Sequence, residues 1–161
     1  MRNFILLFVA ALFVGCASPA VQVTTDDEKS QAIKAAYDGY LVNDFTASNV
    51  LYSSETAIYI NSVETISKEE NAAAFSSHHD FYSDISMSRT YIQTSAYEND
   101  LGTWTHAWFV WKGTGKASGN TFEVPCHVAY QWGDDGKVAQ TWFFSDQSNH
   151  LKELAAAGVE L

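Results

Sequence analysis

The chain has 161 residues, with 19 acidic against 9 basic side chains and a net charge of −10. That length fits one domain able to bury a real core. The acidic balance excludes nucleic acid as a partner, because phosphate binding needs clustered Lys and Arg, and it leaves no basic patch for anionic lipid.

The first element is an apolar run from Phe4 to Val14, preceded by Arg2 as its only charge. It falls short of the roughly 20 apolar residues of a spanning helix and reads as a secretory signal. The run ends in Phe13-Val14-Gly15-Cys16, which resembles a bacterial lipobox. That likeness implies a lipoprotein signal peptide over residues 1–15 and lipidation of Cys16. The mature protein would then be anchored in the cell envelope, facing the periplasm or the exterior. Residues 16–25 are small, polar and without helical periodicity, as a lipidated tether would be, and residues 26–161 remain for the folded domain. Acylation of Cys16 leaves Cys126 without a disulfide partner, so it is expected to pack as a small apolar side chain.

A helix opens the domain, with Thr25 ahead of Asp26-Asp27-Glu28 and Ile33, Ala36, Tyr37, Tyr40 and Leu41 forming one apolar face. A second helix is expected from Phe45 to Tyr52 and a strand from Thr56 to Asn61. Ser67-Lys68-Glu69-Glu70 is a capping box that starts a third helix, ending near His78 to Phe81. The period then changes, and four strand-like runs follow at about 85–98, 102–112, 120–132 and 137–145, separated by Asn/Asp/Gly turns. Short connections make such neighbours antiparallel. A last helix spans Ser148 to Ala157, with Asp146 placed to cap it and Gly158 to end it. Helices followed by a meander give an α+β fold.

The order of elements and the segment Val128-Ala129-Tyr130-Gln131-Trp132, Asp135-Gly136-Lys137-Val138 and Thr141-Trp142-Phe143-Phe144 resemble the nuclear-transport-factor-2-like superfamily, and within it the SnoaL-like polyketide cyclase group. The resemblance implies a cone-shaped, curved antiparallel sheet, a cystatin-like half-barrel, with three N-terminal helices on its concave face and a pocket at the open end. It also implies association as a homodimer through the convex face. Cyclase-like members often carry an aspartate acid/base after the tryptophan, whereas this chain has Phe143 there. That mechanism does not transfer directly.

Alternation along 120–132 turns Phe122, Val124, Cys126, Val128, Tyr130 and Trp132 toward the core. Pairing across the turn then brings Thr141, Phe143 and Ser145 inward. Strand 102–112 carries aromatics on both faces, so its inward face stays open. Tyr37, Tyr40, Tyr59, Phe75, Trp108, Tyr130 and Phe143 are the expected ligand-binding residues, a lining suited to a small apolar or aromatic molecule. His106, between Trp104 and Trp108, is the first candidate for acid/base work, and His127, sharing its face with Glu123, is the second. His78 and His79 read as a favourable end to the third helix. The five histidines lack metal-ligand spacing, and neither metal nor cofactor is expected. The functional expectation is an envelope-anchored domain that binds a small apolar ligand or a partner protein. The alternative is a small acid/base enzyme of the isomerase, cyclase or dehydratase type.

Overall fold

The computed structural model describes residues 21–98 and 100–160. The signal segment and Cys16 lie outside the described residues. In chain order the elements are β1 (Gln22–Thr24), α1 (Glu28–Leu41), α2 (Thr46–Leu51), β2 (Tyr52–Ile60), β3 (Thr65–Ile66), α3 (Lys68–Phe81), β4 (Tyr82–Ala96), β5 (Thr103–Gly115), β6 (Thr121–Trp132), β7 (Val138–Ser145) and α4 (Ser148–Ala156). Two expectations need correction. The end of the proposed tether is an edge strand, with Gln22 opposite Ala96 and Thr24 opposite Thr94. Of the helices expected to precede the sheet, α3 instead follows β2 and β3.

One sheet carries the order β1-β4-β5-β6-β7-β2-β3 and does not close on itself. The four long runs pair antiparallel as a meander. β2 joins its far side parallel to β7, with Ile58 opposite Thr141 and Ile60 opposite Phe143. Curvature has a local cause in β4, whose register shifts between Ser83 and Ser86 and again between Ser88 and Tyr91. Asp84 and Arg89 sit inside those interruptions at φ of 54° and 51°. Extra residues of this kind bend a strand and increase its twist.

The helices cover one face of the sheet, and a chain of hydroxyls pins α1 to it. Asp27 caps α1 by accepting from the N–H groups of Lys29 and Ser30. The Ser30 hydroxyl shares hydrogen bonds with Asp27 and Thr94, Thr94 continues to Thr105, and the indole N–H of Trp132 donates to Thr105 Oγ1 at 2.8 Å. Ser30, Thr94 and Thr105 are all buried, where unpaired hydroxyls would be costly, so their pairing fixes the register between helix and sheet. Beside it Ile33, Phe109, Val124, Val128 and Val138 form the apolar core. At the start of α3 the Ser67–Glu70 capping box forms as the spacing predicts.

Candidate functional site

Between the helices and the sheet lies a cavity of about 240 Å³. Helical periodicity builds two of its walls. Ile33, Ala36, Tyr37 and Tyr40 of α1 face it, as do Asn71, Ala74, Phe75 and His78 of α3, each set at i, i+3, i+4 and i+7. Strand alternation builds the floor from Phe109 and Trp111 of β5, Val124, Cys126, Val128 and Tyr130 of β6, and Thr141, Phe143 and Ser145 of β7. The segment leading into α4 adds Asp146, Gln147, Asn149 and His150. Asp146 is not the cap residue of α4, a position held by Gln147, although its carboxylate still accepts from the Ser148 N–H at 2.8 Å.

Of the expected ligand residues, Tyr37, Tyr40, Phe75, Tyr130 and Phe143 line this cavity. Tyr59 and Trp108 do not. Tyr59 projects from the other face of β2 and stacks on Trp142 at 3.9 Å between centroids. Trp108 lies on the outer face of β5, 37% exposed, because its neighbours Ala107 and Phe109 take the inward positions. Neither candidate histidine reaches the cavity. His106 and His127 meet each other on the outer face, Nδ1 to Nε2 at 3.1 Å, in a stack with Trp108. Burial pulls the pKa of each below the ordinary histidine value.

The cavity has two polar ends. Toward β6, the hydroxyls of Tyr37 and Tyr130 share a hydrogen bond at 2.9 Å. Burial pushes both phenols well above their ordinary range, so each stays protonated. Nearby, the buried Tyr52 phenol, pushed up to about 12 by desolvation, faces the buried Thr141 hydroxyl. At the α3 end, Tyr40 Oη accepts from the Trp111 indole N–H at 2.8 Å and lies 2.9 Å from His78 Nδ1. His79 Nε2 lies 2.8 Å from the Tyr40 carbonyl, and Tyr82 Oη lies 3.1 Å from His150 Nδ1. The rings of His78 and His150 are 5.2 Å apart. Desolvation, with smaller contributions from the charges of His150 and His79, pulls the His78 pKa down to about 4, and burial also lowers that of His150. At neutral pH the His78 ring is therefore uncharged.

This histidine cluster replaces His106 and His127 as the titratable group of the cavity. The signal for His78 was present in the sequence, because it stands one helical turn after Phe75. His150 had no comparable marker. Among the described residues, no Lys or Arg lines the cavity, and Asp146 is its one carboxylate. Burial pushes the Cys126 thiol up to about 11, which makes it an unreactive part of the wall. Among the described residues, no three His, Cys, Asp or Glu side chains converge as a metal site would require.

No family model matches the chain, and neither does any curated protein. Solved structures do share its fold. IdmH from Streptomyces antibioticus, a candidate polyketide cyclase, is 17% identical with a TM-score of 0.61, over 83% of this chain and 100% of that one. A candidate isomerase from Bacillus subtilis is 12% identical with a TM-score of 0.59, over 81% and 93%. A ketosteroid-isomerase-like fold from Catenulispora acidiphila, solved with trimethylamine, is 14% identical with a TM-score of 0.53, over 83% and 94%. The structural neighbours are thus candidate polyketide cyclases, a candidate isomerase and a ketosteroid-isomerase-like fold. At these identities the likeness is one of fold alone.

Proposed function

We propose that this protein binds a small, uncharged, ring-bearing molecule in the cavity and moves a proton on it without a cofactor, as an isomerase or cyclase does. The hydrogen bond between Tyr40 and His78 carries this reading. With the shared proton on His78 Nδ1, Tyr40 Oη accepts from both His78 and Trp111, leaving its own O–H to donate to a ligand oxygen. His78 Nε2, which has no hydrogen-bond partner among the described residues, is then the proton acceptor. A base with a pKa of about 4 takes a proton only from carbon already acidified by neighbouring carbonyl groups, whose enolate oxygen the Tyr40 hydroxyl stabilises. Apolar walls without Lys or Arg among the described residues favour neutral ligands over carboxylates and phosphates.

Two tests follow from this assignment. In a thermal-shift screen of polycyclic ketones and phenols, a hit should raise the melting temperature of the wild-type protein. The Tyr40→Phe and His78→Ala variants should lose most of that shift, and a shift retained by both would refute the assignment. Deuterium exchange at the ligand's acidic carbon then separates catalysis from binding without turnover, the second reading, which Phe143 at the usual acid/base position favours. The cellular setting we propose is the envelope, with the domain tethered through a lipidated Cys16. Membrane fractionation that Cys16→Ser leaves unchanged would remove the anchor.

A further inference from the structure

We propose, building on the Tyr40–His78 assignment, that Glu153 is a positioning residue of the site: it docks α4 on the turn between β5 and β6 and thereby holds His150 against Tyr82 and His78. α4 carries a single buried residue, and that residue is the carboxylate, at 0% exposure. Of its two leucines, Leu151 is 47% exposed and Leu154 is half-buried. The one fully buried contact of the helix is therefore made by an acid, where a surface helix ordinarily uses an apolar stripe.

Glu153 Oε1 accepts from the backbone N–H groups of Ala117 at 2.7 Å and Ser118 at 3.3 Å. The receiving turn is shaped for it. Gly119 N–H donates to the Gly115 carbonyl and Gly115 N–H to that of Asn120, both at 2.8 Å, which leaves the next amides pointing at the helix. A Cβ on Gly115 would sit 2.1 Å from Glu153 Oε2, so only glycine lets the carboxylate settle there. Oε2 itself is buried with no hydrogen-bond partner among the described residues. Burial pushes this carboxyl up, but the Ser118 hydroxyl and the two backbone donors outweigh it and keep the pKa below the ordinary glutamate value.

An apolar contact would leave the helix free to roll, whereas charge-assisted hydrogen bonds to a fixed pair of amides set its rotation. One turn before Glu153, His150 then projects onto Tyr82 Oη and brings its ring 5.2 Å from that of His78. The other groups near the carboxylate are few. Tyr82 of β4 interacts with it electrostatically, Lys116 of the turn spends its ammonium on the His79 carbonyl, and His150 shares its helix.

The test follows the ring signals of His150 and His78 by NMR as pH is varied. In Glu153→Ala, α4 loses its grip, His150 becomes hydrated, and its titration should move up toward the ordinary histidine value, with that of His78 following. Removing a negative charge alone would move His150 down, so the sign separates positioning from electrostatics. Glu153→Gln keeps an acceptor oxygen and should restore most of the native titration. Gly115→Ala, which leaves the charge in place but displaces it, should reproduce the upward shift. If the alanine variant does not fold, hydrogen exchange of the wild-type protein decides: the amides of Ala117 and Ser118 should open together with those of α4. A His150 titration that is unchanged or lowered in Glu153→Ala, or exchange of those two amides independent of α4, would overturn the proposal. No readout requires ligand or turnover, so a protein without activity leaves it standing, and its failure leaves the cavity reading untouched.

Discussion

The two faces of the sheet are both rich in aromatic rings, yet the rings are arranged oppositely. On the outer face Tyr59, Trp142, Phe144, His127, Trp108, His106 and Trp104 form a ladder in which successive rings lie within 9–20° of parallel. Around the cavity, rings meet edge to face, as Tyr40 does with Phe75 at 89° and Tyr37 with Phe109 at 61°. The difference has a simple origin. Side chains rising from adjacent strands are about 5 Å apart and share a direction, so flat rings stack. In the cavity, rings delivered by helices approach those of the sheet from another direction and close around a space. Their hydroxyl and imidazole groups find partners there, while the outer ladder presents ring edges, including Phe144 at 47% exposure, with Tyr91 tilted against Trp108 at 51%. A half-exposed aromatic ladder without a charged side chain in its run, on a chain of net charge −10, is where we propose that a second copy would sit.

Adjacent residues of β5 test this contrast most severely. Phe109 is 5% exposed and Trp108 37%, so Phe109→Ala should cost about 3–5 kcal/mol in urea unfolding as a cavity opens in the core. Trp108→Ala should cost the isolated chain less than about 1 kcal/mol despite the larger truncation. If a second copy covers the ladder, the wild-type midpoint rises with protein concentration and that of Trp108→Ala does not. Equal losses at low concentration would erase the distinction between the faces.

These same residues mark the limit of what the sequence discloses. Alternation in β6 is one-sided, with Val124, Cys126, Val128 and Tyr130 set against Glu123, Pro125 and Gln131, so its inward face was legible and fixed that of β7 across the Asp-Gly turn. β5 is aromatic on both sides, and no periodicity chooses between Trp108 and Trp111; only pairing with β4 and β6 does. Tyr59 was misplaced by one position in an alternation too short to orient itself, and Ile58 and Ile60 line the cavity in its place. His78 was legible but misread, because the favourable charge of a helix end competed with a buried position on the face of Phe75. Glu153 could not be read at all, since its partners are backbone amides of a turn remote in sequence.

Directed hydrogen bonds hold the helix-covered face, and Thr105 lies at the centre of their chain. Thr105→Val keeps the shape but strands the Trp132 indole N–H and leaves the Thr94 hydroxyl with Ser30 alone, and should cost about 1–3 kcal/mol. A loss near zero would mean that apolar packing alone holds α1, which would make the covered face no different in kind from a stacked one.

The smallest effect concerns how the two faces respond to acid. The folded pKa of His78 lies at about 4 against an ordinary 6.5, so between those values the unfolded chain binds the proton and the folded chain does not. Its contribution to stability is complete above pH 6.5 and is lost as pH falls toward 4. Comparing urea midpoints at pH 7 and pH 5, the wild-type protein should lose stability, and His78→Gln should lose less. On the outer face His127 is half-buried, and its hydrogen bond to His106 needs one ring to keep an unprotonated nitrogen. His127→Gln should flatten the same pH dependence by a smaller amount, because solvent hydrates an outer imidazolium that the cavity cannot. Equal flattening by the two variants would mean that the cavity end is as wet as the ladder, and a neutral His78 would then have no desolvated site in which to act.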